Sequence, residues 1–153
     1  MSALKEQLHT DLVTAMKSRD ALRTSTLRMA LAAITNAEVA GKEARELSDE
    51  DVITVLGSEA KKRREAAEAF AAGDRQELAD KEKAEAKILA TYLPAQLSGA
   101  EIKAIVTAAV ASAGAAGEGM KAMGKVMAIV SPQVKGKADG GAVAAEVKAQ
   151  LGA

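Results

Sequence analysis

Apolar residues recur along this chain at the spacing of helix faces, and no stretch alternates with the period of two that a strand would show. Leu4, Leu8, Leu12 and Met16 stand four apart and predict a first helix with one clean stripe. A second is predicted from about Asp20 to Val39, with Leu27, Leu31 and Ile34 inward and Gly41 behind it as a stop. Ser48-Asp49-Glu50-Asp51 has the form of a capping box and opens a third helix through Val52, Val55 and Leu56 to Phe70. Gly73 ends it. Asp74 and Glu77 look like another cap, opening a fourth helix that runs to Tyr92-Leu93 and stops before Pro94.

Beyond Pro94 the pattern restarts. Ser98 and Glu101 repeat the capping device ahead of Ile102, Ile105, Val106, Ala109 and Val110. Gly114, Gly117 and Gly119 break this fifth helix. Met120, Met123, Met127 and Val130 then form an apolar stripe, which reads as core, and Ser131-Pro132 is expected to end their helix. Asp139 is a suitable cap for a short last helix carrying Val143, Val147 and Leu151. The expected fold is all-α. An N-terminal four-helix bundle occupies residues 1–95, and a small three-helix C-terminal domain occupies residues 96–153.

Composition supports this architecture. Alanine is abundant, and alanine loses no side-chain entropy on entering a helix. Phe70 and Tyr92 are the aromatic residues, so a core of Leu, Ile, Val, Met and Ala offers few deep aromatic-lined pockets. With 21 basic and 21 acidic residues the formal charge is zero, and no global field argues for nucleic acid or membrane. The charge is nevertheless divided: residues 1–97 carry 15 Lys/Arg against 17 Asp/Glu, and residues 98–153 carry 6 against 4. The absence of cysteine excludes disulfide and thiolate chemistry. Met-Ser-Ala-Leu-Lys-Glu is charged early and has no apolar run to serve as a signal or membrane span, so a cytoplasmic protein is the expectation.

Catalytic constellations are not found. His9 is the one histidine and has no oriented nucleophile in view; it reads as a helix-surface residue. A structural zinc site needs four nitrogen or sulfur ligands, which this composition does not provide, so no metal and no cofactor are expected. Asp49, Glu50 and Asp51 stand where a helix N-terminus favours negative charge. Glu82 and Glu85, with lysines interleaved, read as a solvated charged face. No Walker loop appears, and the glycines at 114, 117 and 119 do not follow a strand, as a dinucleotide fingerprint requires.

Two cationic features remain. Lys61-Lys62-Arg63-Arg64 points around most of a helix circumference and cannot form one flat patch. Glu59, Glu65 and Glu68 lie four residues from Arg63, Lys61 and Arg64, and such pairs are worth roughly 0.2–0.5 kcal/mol each. The run therefore reads as a salt-laced solvent face in preference to the alternative, a phosphate-contacting edge. Arg19, Arg23 and Arg28 add charge to the second helix, with Arg19 and Arg23 on a shared face. The second feature is more compact. Lys121 and Lys125 are expected one turn apart on the polar side of the methionine helix, and Lys135 and Lys137 flank Gly136 just before Asp139. Scattered lysines ordinarily serve solubility. Four with Glu118 alone near them mark a candidate polyanion-binding face.

Together these motifs resemble the YqeY-like family, whose C-terminal module is shared with the tail of GatB, a subunit of the glutamine-dependent tRNA amidotransferase. The resemblance spans Thr26-Leu27-Arg28-Met29, Leu47-Ser48-Asp49-Glu50-Asp51-Val52-Ile53, Lys61-Lys62-Arg63-Arg64-Glu65 and Tyr92-Leu93-Pro94. It continues through Met123-Gly124-Lys125-Val126-Met127 and Lys135-Gly136-Lys137-Ala138-Asp139-Gly140. Their order and spacing carry the specificity. The sequence departs from the family in its looser Gly114–Gly119 linker and in Lys137, where arginine is common. A lysine there offers a point charge and no fork. The resemblance implies a helical bundle followed by a GatB/YqeY tail-like three-helix domain, and in GatB that tail helps hold the outer body of tRNA.

The leading expectation is a noncatalytic tRNA-binding or amidotransferase-related accessory protein contacting the tRNA backbone through Lys121, Lys125, Lys135 and Lys137. The first alternative is a protein-interaction module docking to a translation-related enzyme, its tail presenting a helix groove and its lysines steering association. The second is a subunit contributing to glutamine-dependent carbon–nitrogen ligase activity, a label inherited from the larger enzyme. No catalytic residue is assigned in this chain.

Overall fold

The computed structural model describes residues 1–152, and these form seven α-helices with no strand among them. The chain divides into two compact units, Met1–Pro94 and the residues from Ala95 onward. In the first unit α1 (Ala3–Lys17) and α2 (Ala21–Glu38) form one hairpin, and α3 (Asp49–Ala72) and α4 (Gln76–Ala90) form another. Their starts follow from local chemistry. The Ser2 hydroxyl accepts the Lys5 N–H, the Asp20 carboxylate accepts the Arg23 N–H, and Ser48 and Asp51 close a reciprocal capping box.

Leu8, Leu27, Ile34, Val52, Leu56 and Leu89 are fully buried at the centre of this unit. Removing each from water contributes roughly 1.5–3 kcal/mol. The Lys5 ammonium lies 2.6 Å from the Glu38 carboxylate and clips the start of α1 to the end of α2. The expected α1 stripe shifts at its end: Met16 is 48% exposed and Ala15 takes the buried place. Arg19 is not on α2. It occupies the left-handed turn before the cap, at φ 59°, so it cannot share a helix face with Arg23.

The α3–α4 turn also differs from expectation. Gly73 is the C-cap of α3, but Asp74 is itself in the left-handed region at φ 59°, a conformation that a short polar side chain tolerates. Arg75 takes the N-cap position of α4 with no side-chain cap bond, so Asp74 and Glu77 do not cap it. The helix ends at Ala90, before Tyr92-Leu93.

The second unit holds α5 (Gly99–Ser112), α6 (Met123–Val134) and α7 (Gly140–Gln150). Ser98 caps α5 by accepting the Glu101 N–H. Gly114, Gly117 and Gly119 all adopt positive φ, and a short 3₁₀ turn at Gly119–Ala122 leads into α6. Val106 from α5, Val126 and Val130 from α6, and Val143 and Val147 from α7 are fully buried together.

Two expectations about α6 are corrected. Its core stripe is Ala122, Val126, Val130 and Val134, whereas Met120 is 43% exposed and Met123 and Met127 are only partly buried. The four-residue spacing of valines competes with the methionine pattern, and the stiffer, β-branched side chains take the interior. Pro132 does not end the helix; it sits inside it, and α6 continues to Val134. Near a C-terminal end the missing N–H removes only one helical bond, and buried Val134 still gains from a last turn.

Candidate nucleic-acid interface

The four sequence-selected lysines all belong to the second unit, and all are exposed. They do not form one compact patch. Lys121 lies in the 3₁₀ turn and Lys125 in the first turn of α6, so they are not successive positions of one helix. Lys135 caps the opposite end of α6. At 1.5 Å per residue, Lys125 and Lys135 are separated by about 15 Å of helix. The lysines are therefore two pairs, one at each end of α6.

At the first pair, Lys125 Nζ lies 2.7 Å from a Glu118 carboxylate oxygen. The Lys125 hydrogen bond holds the Glu118 carboxyl below its ordinary value; partial burial opposes this, and the charges of Lys125 and Lys121 reinforce it. Glu118 thus offsets part of the positive charge that this end presents.

At the second pair, Lys135 is in extended conformation with ψ 122°, and Gly136 turns the chain at φ 74°. A side chain at Gly136 would strain that left-handed turn. The turn is pinned from the start of the unit: Leu97 N–H donates to the Lys137 carbonyl at 2.8 Å, and the Gln96 amide donates to the Gly136 carbonyl at 3.0 Å. Lys137 N–H donates to the Val134 carbonyl at 2.8 Å. Asp139 then caps α7, accepting the Gly141 N–H at 3.4 Å. The second lysine pair is thus mounted on a hydrogen-bonded turn.

Beside the second pair is an apolar groove of about 600 Å³. Met127, Ala128, Ser131 and Pro132 line one side and Ala138 and Val143 the other, with Lys135 also in the wall. Sequence periodicity did not reveal it, because the groove exists only where the end of α6 passes the start of α7.

The remaining charged motifs resolve differently. His9 is exposed on α1, and among the described residues no group of three His, Cys, Asp or Glu side chains is placed to hold a metal ion. No helix among them is long and apolar enough to cross a membrane. The Lys61–Arg64 run is not uniformly a solvent face. Lys62 pairs with Glu59 at 3.1 Å, and Lys61 lies 4.0 Å from Glu65. Arg63, however, is only 4% exposed. Its guanidinium meets Glu59 at 2.7 Å and Glu85 at 3.4 Å, and Glu85 is also 4% exposed. Burial raises the Glu59 carboxyl, but hydrogen bonds from Lys62 and Arg63 outweigh it and leave the group below its ordinary value. Reading Glu85 as solvated is therefore corrected. The available signal was Arg63 itself, which continues the stripe of Val52, Leu56, Ala60 and Ala67.

The family model described as "Yqey-like protein" matches residues 5–151 of the chain. The chain is also similar to an uncharacterized protein, C22F3.15, of Schizosaccharomyces pombe (strain 972), with 35% identity over 96 residues. That match covers 62% of this chain and 76% of the yeast protein.

Proposed function

The chain belongs to the YqeY-like family, and from that premise we propose that it is a noncatalytic accessory protein that holds tRNA by its backbone through the C-terminal unit. The observation that carries this reading is the exposure of Lys121, Lys125, Lys135 and Lys137 at the two ends of α6, on positions that resemble the tail motif of GatB. Separated cations suit contact with successive phosphates, which position a protein without reading bases. Structured RNA is recognised largely by shape, phosphates and 2′-hydroxyls. Phe70 and Tyr92 both lie in the first unit, so the second offers no aromatic platform for stacking single-stranded bases.

The test is binding of the purified protein to total tRNA against an equally charged duplex RNA across a salt series. Four phosphate contacts should give a log–log slope of roughly −3 to −4. Alanine at Lys121 and Lys125 should weaken binding and leave the fold intact. Equal binding to both RNAs, or unchanged affinity in the folded double variant, would remove this reading.

A further inference from the structure

We propose that the groove between α6 and the start of α7 is a docking site for an acidic amphipathic helix of a partner protein. The groove belongs wholly to the second unit and does not depend on the tRNA reading. Its walls are apolar: Met127, Ala128, Pro132, Ala138 and Val143 line it. From Met127 to Val134 it runs about 10 Å along α6, the length of two helical turns. Such a groove takes anchor side chains spaced i and i+3 or i+4. Met127, only partly buried, supplies an unbranched and adaptable wall.

The occupant follows from what the unit lacks and what it carries. With no strand among the described residues, no sheet edge is available there to pair with an extended peptide. With no aromatic residue in the unit, a polyproline ligand would find no aromatic-lined slot, and nucleobases no stacking surface. A helix laid into the groove remains. Its charge is set by the rim: Lys135 stands in the wall and Lys137 follows it two residues on, against Asp139. Asp139 is engaged in capping α7, whose N-terminal end adds further positive potential beside Gly140. Acidic residues flanking apolar anchors complement that rim, and basic ones would be repelled.

The experiment follows backbone amide shifts of the full ¹⁵N-labelled chain during titration with two synthetic helical peptides. Both carry the same leucine stripe, one with glutamates on the polar face and the other with lysines. The expected result is saturable shifts at Met127, Ala128, Ser131 and Val143 with the acidic peptide alone. Ala128→Tyr and Ser131→Tyr, each at an exposed position, should fill the groove and weaken that binding by about tenfold or more, with helical circular dichroism unchanged. Lys137→Glu should weaken it without filling the groove and keeps the test sharp if a tyrosine variant misfolds. Equal response to both peptides, or none, would overturn the proposal. So would concentration-dependent shifts at these residues without peptide, which would make the occupant a second copy. Saturable shifts there on adding tRNA alone would transfer the groove to RNA.

Discussion

Arg63 Nε lies 3.4 Å from a Glu85 carboxylate oxygen, and this contact ties α3 to α4 with both side chains withdrawn from water. The Nε hydrogen is not aimed for a hydrogen bond, so this atom is held by charge alone, while Nη1 bonds Glu59 at 2.7 Å. Nη2 lies 3.6 Å from the Met29 sulfur. One guanidinium therefore meets side chains from α2, α3 and α4.

Removing Arg63 leaves the buried Glu85 carboxylate with the largely exposed Lys81, 3.9 Å away, as its remaining counter-charge. Arg63→Met is expected to destabilise the protein by about 3–5 kcal/mol in urea unfolding. The double variant Arg63→Met, Glu85→Leu replaces the pair with apolar volume and should recover most of that loss. A double variant as unstable as the single one would show that the ion pair is not the source of the effect.

Tyr92 donates its hydroxyl to Asp11 at 2.5 Å, closing the end of the first unit onto α1. Burial and the Asp11 carboxylate push the phenol up to about 12, partly offset by Arg23. Because the folded value lies above the ordinary 10.0, this group's contribution is intact below pH 10 and is lost as pH rises towards 12. Tyr92→Phe should cost about 1–2 kcal/mol near neutrality and flatten the alkaline limb of the melting curve. Phenolate absorbance of the folded protein locates the titration directly; a midpoint near the ordinary value would rule out this coupling.

Acid acts through the other clip. The Lys5 hydrogen bond holds the Glu38 carboxyl below its ordinary 4.5; some desolvation opposes it, and the Lys5 charge and the Leu47 backbone N–H add to it. The folded value is depressed, so the stabilisation is present above the unfolded value and fades as pH falls through the folded one. Melting temperatures measured from about pH 6 down to 2 should therefore fall less steeply in Glu38→Gln than in the parent. Parallel acid limbs would exclude Glu38 as a contributor.

Glu118 limits the first lysine pair. If Lys125 contacts phosphate, Glu118→Gln frees its ammonium and removes a nearby negative charge. tRNA affinity should then rise by about two- to fivefold at low salt, with the gain shrinking as salt is added. Unchanged affinity would place the RNA contact away from this end of α6.

The helical character and the caps were legible because they are local. Ser48 and Asp51, Ser98 and Asp139 satisfy backbone N–H groups two or three residues away, and such bonds leave a readable spacing. Asp74 misled because the same residue type also tolerates a left-handed turn, and spacing alone does not separate the two uses. Pro132 misled because its cost depends on where in the helix it falls and on what the next turn buries. At the candidate interface, the identities of the four lysines were readable, but their division into two pairs depended on where α6 begins and ends.

An all-helical chain, most of its helix starts and the residues able to present positive charge follow from the order of amino acids, since each rests on bonds or periodicities within a few residues. Tertiary structure alone decided that Arg63 and Glu85 are buried partners, that valines displace methionines from the core of α6, and that a groove opens beside Lys135. Those outcomes depend on which distant surface arrives against each helix. Burial is a property of the packed pair of faces, and a one-dimensional pattern records only one of them at a time.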